Sequence, residues 1–301
     1  MEIRPVAGAD EREACADIFL RASNGLRVGR GQRALGRSDI EWMAASVAHL
    51  AGTDPEGLVL AIDAGRPVGF GCAYRRDRAW FLSYLFVLPA FQAAGVGRAI
   101  LEALLPPPAE RGSTDLATVV ESAQPVSTML YASYGIVPRM PLYWLSELPR
   151  TDALPALPPD VSVLPLSLRD HRAGIDRLDR TLLGYARPQD HALWASGAVR
   201  ARVYLAGDGS ILGYGYRAPD RWLCPVASTD EPLTAAIVAD LLTELDGDVR
   251  TETVQVAGNA GDLLPRLVRA GMRSSEGAAL LYCSNGRVPP PSYLPYGGFL
   301  P

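Results

Sequence analysis

The chain has 301 residues, 48% of them hydrophobic and 21% charged, a balance that is typical of a folded globular protein and excludes disorder as its main state. Its length is sufficient for two domains of ordinary size. The net charge of −4 argues against a general nucleic-acid binder. All 29 basic residues are arginine, which is typical of a GC-rich genome, and we expect a bacterial source.

The four cysteines lie far apart in the sequence, without a Cys-x-x-Cys pair or a Cys/His cluster at zinc spacing. We therefore expect no metal site and reduced, buried thiols. Residues 1–13 lack the apolar segment of a signal peptide, and no run approaches the ~18 apolar residues of a membrane span. These features predict a cytoplasmic protein with no membrane partner.

The first predicted elements are a strand at residues 2–6 and a helix at residues 10–23, whose apolar side chains fall on one helical face. Residues 23–37 then carry four arginines and four glycines, a composition that predicts a mobile basic loop. Such a loop either binds an acidic substrate through its arginines or is simply a solvated surface. Both interpretations stay open at this point.

A second helix is predicted to begin at a capping box formed by Ser38 and Glu41. His49 lies on its apolar face and is interpreted as structural. Residues 58–63 and 67–76 then alternate as a β-hairpin does, with turn residues between them.

Residues 81–105 form the most informative segment of the chain, a predicted strand, turn and helix. Residues 81–87 are aromatic and β-branched enough to form a buried strand, and Pro89 ends that strand because it cannot donate to a sheet ladder. Apolar residues then recur at helical spacing, so a helix is predicted to begin near Gly95. They are Val96, Ile100, Leu101, Leu104 and Leu105.

The start of this helix is a candidate phosphate site. The first N–H groups of a helix have no intrahelical partner, and the helix dipole makes that end positive. Gly95 and Gly97 would let a pyrophosphate approach those groups without a Cβ in the way, and Arg98 would add positive charge. Taken alone, two glycines after a strand are more often an ordinary tight turn.

The elements that follow are a strand at 116–121, a helix at 126–134 ended by Gly135, and a strand at 140–146. Residues 149–160 contain four prolines and no periodicity, which predicts a linker.

An internal repeat follows the predicted linker. Residues 59–71 align without gaps on residues 203–215, and the order of later elements also matches. Chance similarity between two α+β halves is the alternative. The repeat predicts a first domain at 1–148, a linker at 149–160, a second domain at 161–286 and a Pro- and aromatic-rich arm at 287–301. The arm is either disordered or packed on the body, and its aromatic residues favour packing.

Two motifs in the first half resemble those of the GNAT superfamily of N-acyltransferases. Gln92-x-x-Gly95-x-Gly97-Arg98, after Val87-x-Pro89, resembles the family's acetyl-CoA-binding motif. Residues 124–135, with Tyr131 and Gly135, resemble its second motif, except that Gln124 stands for the usual Asn. The resemblance covers residues 1–147 and implies an α+β fold with two GNAT-like domains, each a mixed, mostly antiparallel sheet flanked by helices.

The resemblance also implies where acetyl-CoA binds. The backbone of the central strand would hydrogen-bond the pantetheine arm beside a bulge, and the amides of the following turn would hold the pyrophosphate. Gln124 would contact the cofactor, and Tyr131 would lie near its sulfur. The implied cofactor-binding residues are Leu85, Phe86, Val87, Gln92, Ala93, Ala94, Gly95, Val96, Gly97, Arg98, Gln124 and Tyr131.

Amine acetylation needs a neutral amine and a proton for the departing thiolate. Tyr131 matches the position of the family's general acid, although a tyrosine packed at a helix end is the structural alternative. Many relatives carry a glutamate base in the central strand, where this chain has Tyr84. Glu121, at the end of the next strand, is therefore the candidate base, acting through a water, and a solvated strand end is the bland alternative.

The second half lacks the cofactor motif. Residues 226–233 offer no Gly-x-Gly and place carboxylates where a phosphate would lie, so this half is predicted to be a degenerate GNAT-like domain.

The sequence thus predicts an N-acetyltransferase with acetyl-CoA as donor and a small-molecule amine as acceptor, reacting by direct attack in a ternary complex. A non-catalytic acyl-CoA-binding protein, a purely structural protein and a longer acyl group remain alternatives. The identity of the amine and the oligomeric state are not predicted.

Overall fold

The computed structural model of the chain describes residues 1–122, 124–219, 222–242, 252–274 and 277–297. The chain divides into two compact units, Met1–Ala117 and Thr118–Pro301. Each unit combines β-sheet with helices, so the predicted α+β fold class is confirmed.

The first unit is built on four consecutive antiparallel strands in the order β1-β2-β3-β4. Its helices and strands are Glu2–Pro5 (β1), Gly8–Gly29 (α1), Glu41–Thr53 (α2), Leu58–Asp63 (β2), Arg66–Arg76 (β3), Ala79–Val87 (β4), Val96–Leu104 (α3) and Pro108–Arg111 (α4), and it ends within Asp115–Glu121 (β5). The predicted hairpin at 58–76 is confirmed as β2 and β3.

Helix α3 packs unusually close to β3 because the strand carries glycine where the helix crosses it. A Cβ built on Gly69 would lie 3.0 Å from Ile100 Cδ1. One built on Gly71 would lie 2.7 Å from Leu104 Cδ1 and closer still to Ile100. The two glycines thus let the helix that begins at Gly95 lie directly on the sheet.

We expect Gly71→Ala to lower the free energy of unfolding by about 1–3 kcal/mol, because the added methyl overpacks the contact with Ile100 and Leu104. Urea unfolding would measure the loss. Gly112→Ala is the matched control, since a Cβ there meets no atom within 4 Å and should change stability by less than about 0.5 kcal/mol. Equal stability of the two variants would contradict the predicted overpacking.

The second unit contains two groups of neighbouring strands. From the end of β5 one group runs β5-β12-β6-β11, and the other is a five-stranded antiparallel sheet in the order β13-β10-β9-β8-β7. Its elements are Pro125–Ala132 (α5), Val137–Leu145 (β6), Ser162–Pro165 (β7), Leu168–Leu182 (α6), Pro188–Gly197 (α7), Arg200–Leu205 (β8), Ile211–Arg217 (β9), Leu223–Ser228 (β10), Glu231–Leu241 (α8), Val254–Ala257 (β11), Leu263–Arg269 (α9), Ala279–Cys283 (β12) and Tyr293–Leu294 (β13).

The strand–helix contact of the first unit has a counterpart in the second. Gly213 on β9 would place a Cβ 2.6 Å from Ile237 Cδ1 of α8, and Gly215 would place one against Leu241. The repeat aligns these glycines with Gly69 and Gly71, so the aligned residues serve the same packing function in both units. This shared contact supports the interpretation of the two halves as GNAT-like repeats.

The predicted linker packs on the second unit. Arg150 donates its backbone N–H to Ala270 O at 2.8 Å, and Leu154 is buried in the hydrophobic core of that unit. The described part of the predicted C-terminal arm, residues 287–297, packs through Tyr293 and Leu294, which pair with β10 and are fully buried. Residues 298–301 lie outside the described residues. Both segments bury apolar side chains, and this burial holds their proline-rich backbone against the second unit.

The compact units divide between Ala117 and Thr118, whereas the repeat predicts bounds at 1–148, 149–160, 161–286 and 287–301. The two divisions differ because β12, late in the sequence, lies between β5 and β6 and joins them to the second unit. The repeat-based bounds stay a prediction. Among the described residues, no helix has the length and apolar character that crossing a membrane requires.

Candidate functional site

The central strand and the turn after it hold most of the predicted cofactor-binding residues. In β4, Leu85, Phe86 and Val87 are half-buried and pair with β3 along one edge. The pairing shifts register at Ser83, because Leu82 lies opposite Ala73 and Tyr84 lies opposite Cys72. This is the kind of one-residue bulge that the family resemblance implies for the central strand.

The turn between β4 and α3 exposes its backbone. Ala93 and Gly95 both have left-handed φ angles, 60° and 82°, and residues 92–95 are solvent-exposed. Gln92 closes the turn by donating its side-chain N–H to Val87 O at 2.9 Å. The Gln92 amide thus holds the turn against the end of β4, and its contribution to cofactor binding stays a prediction.

Helix α3 begins at Val96 with Gly95 as its N-cap, close to the predicted start near Gly95, and its first turn carries no acidic side chain. Ala99 makes the first hydrogen bond within the helix, to Gly95 O at 3.0 Å. The amides of Val96 and Gly97 precede that bond, so they have no acceptor within the helix. Together with the exposed side chain of Arg98, this end of α3 offers N–H donors and positive charge to an anion.

Helix α8 of the second unit begins differently. Asp230 is its N-cap, and the Asp230 carboxylate accepts from Leu233 N at 3.0 Å. Glu231 follows and accepts from Asp262 N at 2.5 Å. The protein's own carboxylates therefore occupy this helix end and would repel a phosphate. These contacts favour the prediction that no phosphate binds here, which stays a prediction.

Tyr131 lies in the second unit, on α5. Among the eight residues of this helix, all of them described, Tyr131 alone is buried, at 5% exposure. Its ring packs edge-to-face against Tyr282, with centroids 6.3 Å apart. Burial, and to a smaller extent Tyr282, raises the pKa of the Tyr131 phenol above its ordinary value of 10.0. The phenol is therefore protonated at neutral pH, as a proton donor must be.

The other two predicted residues of this part lie just before Tyr131. Gln124 is the N-cap of α5, and its backbone N–H donates to Glu121 O at 3.1 Å. Glu121 ends β5 with an exposed side chain. The structure thus brings Glu121, Gln124 and Tyr131 onto one strand–helix connection in the second unit, while residues 85–98 lie together in the first.

Tyr84 is not a candidate base. It is 1% exposed and packs among the rings of Phe19, Phe70 and Phe86 in the first unit. A phenol in this apolar setting contributes to packing.

The prediction of a mobile basic loop at residues 23–37 is wrong for its first part, because α1 continues to Gly29. Its arginines also have acidic partners. Arg33 forms two hydrogen bonds with Asp39, at 2.8 and 2.9 Å, and Arg37 pairs with Glu13 and Asp17. The Arg33 guanidinium, with the Gly36 amide, lowers the pKa of Asp39 to about 2.

The predicted start of α2 at a Ser38–Glu41 capping box is also wrong. A 3-10 turn at Arg37–Ile40 precedes α2, and Asp39 accepts from Gly36 N at 2.7 Å, in place of a Ser38–Glu41 capping box. Arg33 and Arg37 are therefore committed within the protein, which favours the solvated-surface interpretation over an acidic substrate site.

Sequence reasoning missed two side chains beside Tyr131. Thr128 and Tyr282 share a hydrogen bond of 2.8 Å between their hydroxyl oxygens, although they lie 154 residues apart in the chain. Within the part of the chain that the structure describes, no group of three His, Cys, Asp or Glu residues is arranged to hold a metal ion.

Comparison with known proteins gives a family match for part of the chain and a shared fold for the whole of it. Residues 29–136 match the model of the acetyltransferase (GNAT) family. A putative acetyltransferase from Pyrococcus horikoshii has a TM-score of 0.72 at 16% identity, covering 100% of this chain and 95% of the other. A GCN5-related N-acetyltransferase from Sphaerobacter thermophilus has a TM-score of 0.60 at 16% identity, covering 96% of each chain.

A tandem GNAT protein from the clavulanic acid biosynthesis pathway is also similar, with a TM-score of 0.55, 16% identity, and 95% of this chain and 99% of the other covered. At these identities the solved structures show the fold. The comparison with curated proteins found no match. The family match over residues 29–136 and the shared fold confirm the resemblance.

Proposed function

We propose that the protein is an N-acetyltransferase that uses acetyl-CoA and acts on an amine in a ternary complex, in keeping with the match of residues 29–136 to the acetyltransferase (GNAT) family model. The start of α3 is the observation that carries the proposal. Ala93 and Gly95 have left-handed φ angles in the exposed turn before this helix. The first turn of the helix carries no acidic side chain, so none of its own carboxylates competes with a phosphate for the backbone amides. At the start of α8, by contrast, the Asp230 carboxylate accepts from a backbone amide and brings negative charge to the helix end.

The proposed cofactor site follows from that end of α3. The amides of Ala93 to Arg98 would bind the pyrophosphate of acetyl-CoA, and the Arg98 guanidinium would add charge. Beyond the bulge at Ser83, the backbone of Leu85 to Val87 would hydrogen-bond the pantetheine arm in the manner of an added strand. Gln124 would contact the cofactor nearer the reacting end.

The proposed reaction is direct. The neutral amine attacks the thioester carbonyl carbon, the tetrahedral intermediate collapses, and the C–S bond breaks to release the thiolate of CoA. Tyr131 donates its phenolic proton to that thiolate, and the proton lost by the amine passes through a water to Glu121. The Tyr131 phenol keeps its proton at working pH, as the assignment requires, and its raised pKa makes it a weaker proton donor than a free phenol.

The second half is proposed to be a degenerate GNAT-like domain that binds no acetyl-CoA, because Asp230 and Glu231 occupy its helix end. We expect a small-molecule amine as acceptor and a cytoplasmic location. A non-catalytic acyl-CoA-binding protein is the second candidate. The burial of Tyr84 among aromatic rings, where many relatives carry a glutamate base, favours it.

Calorimetric titration of acetyl-CoA tests the cofactor site. We expect one site per chain in the wild type and no detectable binding to Gly97→Glu, which places a side chain and a negative charge where the pyrophosphate would lie. Gly112→Glu is the control, because Gly112 is exposed with open space around it, and it should bind as the wild type does. Equal binding by both variants would rule out this site.

Thiol release from acetyl-CoA with a panel of primary amines separates the two candidate functions. An N-acetyltransferase releases CoA with at least one amine and forms the matching amide. A protein that binds acetyl-CoA at one site and releases no thiol with any amine would be the non-catalytic binder.

A further inference from the structure

We propose that Tyr282, from the C-terminal part of the chain, is a positioning residue that aligns Tyr131 for the acetyl transfer. The proposal rests on the proposed function, because Tyr131 is the acid of that reaction. The proposal gives β12, which lies outside the family match at residues 29–136, a role in catalysis. All of the residues that carry it belong to the second compact unit.

The first step is the place of β12 in the sheet. Ala279–Cys283 lies between β5, which ends at Glu121, and β6, with which it is antiparallel. The register with β6 shifts between Leu281 and Tyr282, where a bulge turns the strand locally. Tyr282 is 1% exposed, so its ring and its hydroxyl are held inside the unit.

The second step is the order of protons along a short hydrogen-bond chain. Thr128 Oγ1 donates its one proton to Gln124 O at 2.9 Å, four residues earlier on α5. The Thr128 hydroxyl must then accept in its 2.8 Å bond with Tyr282, so the Tyr282 phenol is the donor. Tyr282 is thereby linked through Thr128 to the backbone carbonyl of Gln124, the N-cap residue of the helix that carries Tyr131.

The third step is the exposure of α5. The helix has eight residues, too few for stability without tertiary contacts. Val126 and Met129 are 77% and 65% exposed. Tyr282 contacts this helix twice, through its hydroxyl at Thr128 and through its ring at Tyr131, with the ring planes at 70°. One side chain of β12 therefore fixes both the start of α5 and the ring of Tyr131.

The kinetic consequence is specific. The pyrophosphate site, the main anchor of acetyl-CoA, is proposed on α3 of the first unit, so loosening α5 should weaken acetyl-CoA binding only slightly, through the contact proposed for Gln124. A small displacement of a catalytic group lowers the rate of the chemical step, because proton transfer depends on distance and direction. Removing the Tyr282 hydroxyl should therefore lower kcat and leave KM for acetyl-CoA nearly unchanged.

The test compares Tyr282→Phe with Tyr204→Phe in the full-length protein, using CoA thiol release with the amine that the wild type accepts. Tyr204 is the matched control because it is fully buried in the second unit and its hydroxyl donates to Asp240 at 2.7 Å, outside the proposed site. We expect Tyr282→Phe to lower kcat about 10- to 100-fold with KM for acetyl-CoA within about twofold, and Tyr204→Phe to leave kcat unchanged.

A double-mutant cycle identifies the bond itself. If Tyr282 acts through Thr128, then Thr128→Val should lower kcat to a similar degree, and Tyr282→Phe should add little in the Thr128→Val background. Hydrogen exchange over residues 125–132 should be faster in Tyr282→Phe than in Tyr204→Phe, which reports on α5 without reference to activity.

The outcomes separate the two proposals. An active wild type with an unchanged kcat in Tyr282→Phe would overturn the positioning function alone, and so would equal losses of kcat in Tyr282→Phe and Tyr204→Phe. Fully additive effects of Tyr282→Phe and Thr128→Val would overturn the path through Thr128. A wild type that binds acetyl-CoA but releases no thiol with any amine would overturn the proposed function, and the positioning function with it.

Discussion

Tyr131→Phe is expected to lower kcat for thiol release about 10²- to 10⁴-fold, the usual contribution of a positioned general acid. The substitution keeps the ring that packs against Tyr282, so the fold of α5 should be retained. The affinity for acetyl-CoA, measured by calorimetry, should stay within about threefold, because the pyrophosphate would bind at α3. A loss of affinity as large as the loss of kcat would assign Tyr131 to cofactor binding.

The pH dependence gives a second readout for Tyr131. Burial raises the pKa of this phenol above 10.0, so its proton stays in place as the pH rises from 8 to 10. The wild-type kcat should therefore show no decline in this range from the deprotonation of Tyr131. A decline that disappears in Tyr131→Phe would mean that the phenol titrates there and is less buried than the structure indicates.

Asp179→Ala is expected to lower the free energy of unfolding by about 3–5 kcal/mol, because it leaves the buried cation of Arg187 without its counter-charge. Asp179 Oδ2 accepts from Arg187 Nε at 2.8 Å and from His191 Nε2 at 2.9 Å. Arg187 also donates to the hydroxyls of Tyr293 and Tyr214, at 2.5 and 2.7 Å. The network joins α6, α7, β9 and the C-terminal segment.

Guanidinium unfolding of the full-length protein measures this loss. Arg266→Ala is the control, since it removes an exposed ion pair with Asp262 on α9, and should cost less than about 1 kcal/mol. Similar losses in the two variants would show that the buried network contributes no more than a surface pair.

The network also predicts acid sensitivity. Burial alone would raise the pKa of Asp179, but Arg187 and His191 outweigh that effect and lower the pKa from 3.8 to about 2. Because the pKa is lowered by folding, the stabilisation from Asp179 is present above about pH 4 and is lost as the pH falls toward 2. Asp179→Ala should therefore differ most from the wild type at neutral pH and least at pH 2.

The sequence by itself determined the strand–turn–helix at the centre of the first unit. Pro89 ends a strand, Gly95 takes a left-handed φ angle and α3 begins after it, all of which depend on neighbouring residues. The repeat was also readable, because Gly69 and Gly71 align with Gly213 and Gly215 at one fixed offset. In both units these glycines admit a helix close to the sheet.

Other features depended on side chains that meet only in the folded chain. The length of α1 and the start of α2 were mispredicted, since Arg37 pairs back to Glu13 and Arg33 pairs with Asp39. These pairs span 24 and 6 residues and leave no periodic signal. A run of arginines and glycines has the same appearance whether or not its charges are paired.

Tertiary structure alone decided the surroundings of Tyr131 and the core of the second unit. Tyr282 reaches Thr128 across 154 residues, and Arg187 reaches Tyr293 across 106. Local propensity and periodicity extend over a few turns of helix or one strand pair, so they carry no information on contacts of this span. Such contacts depend on the place of β12 in the sheet and on the pairing of Tyr293 and Leu294 with β10.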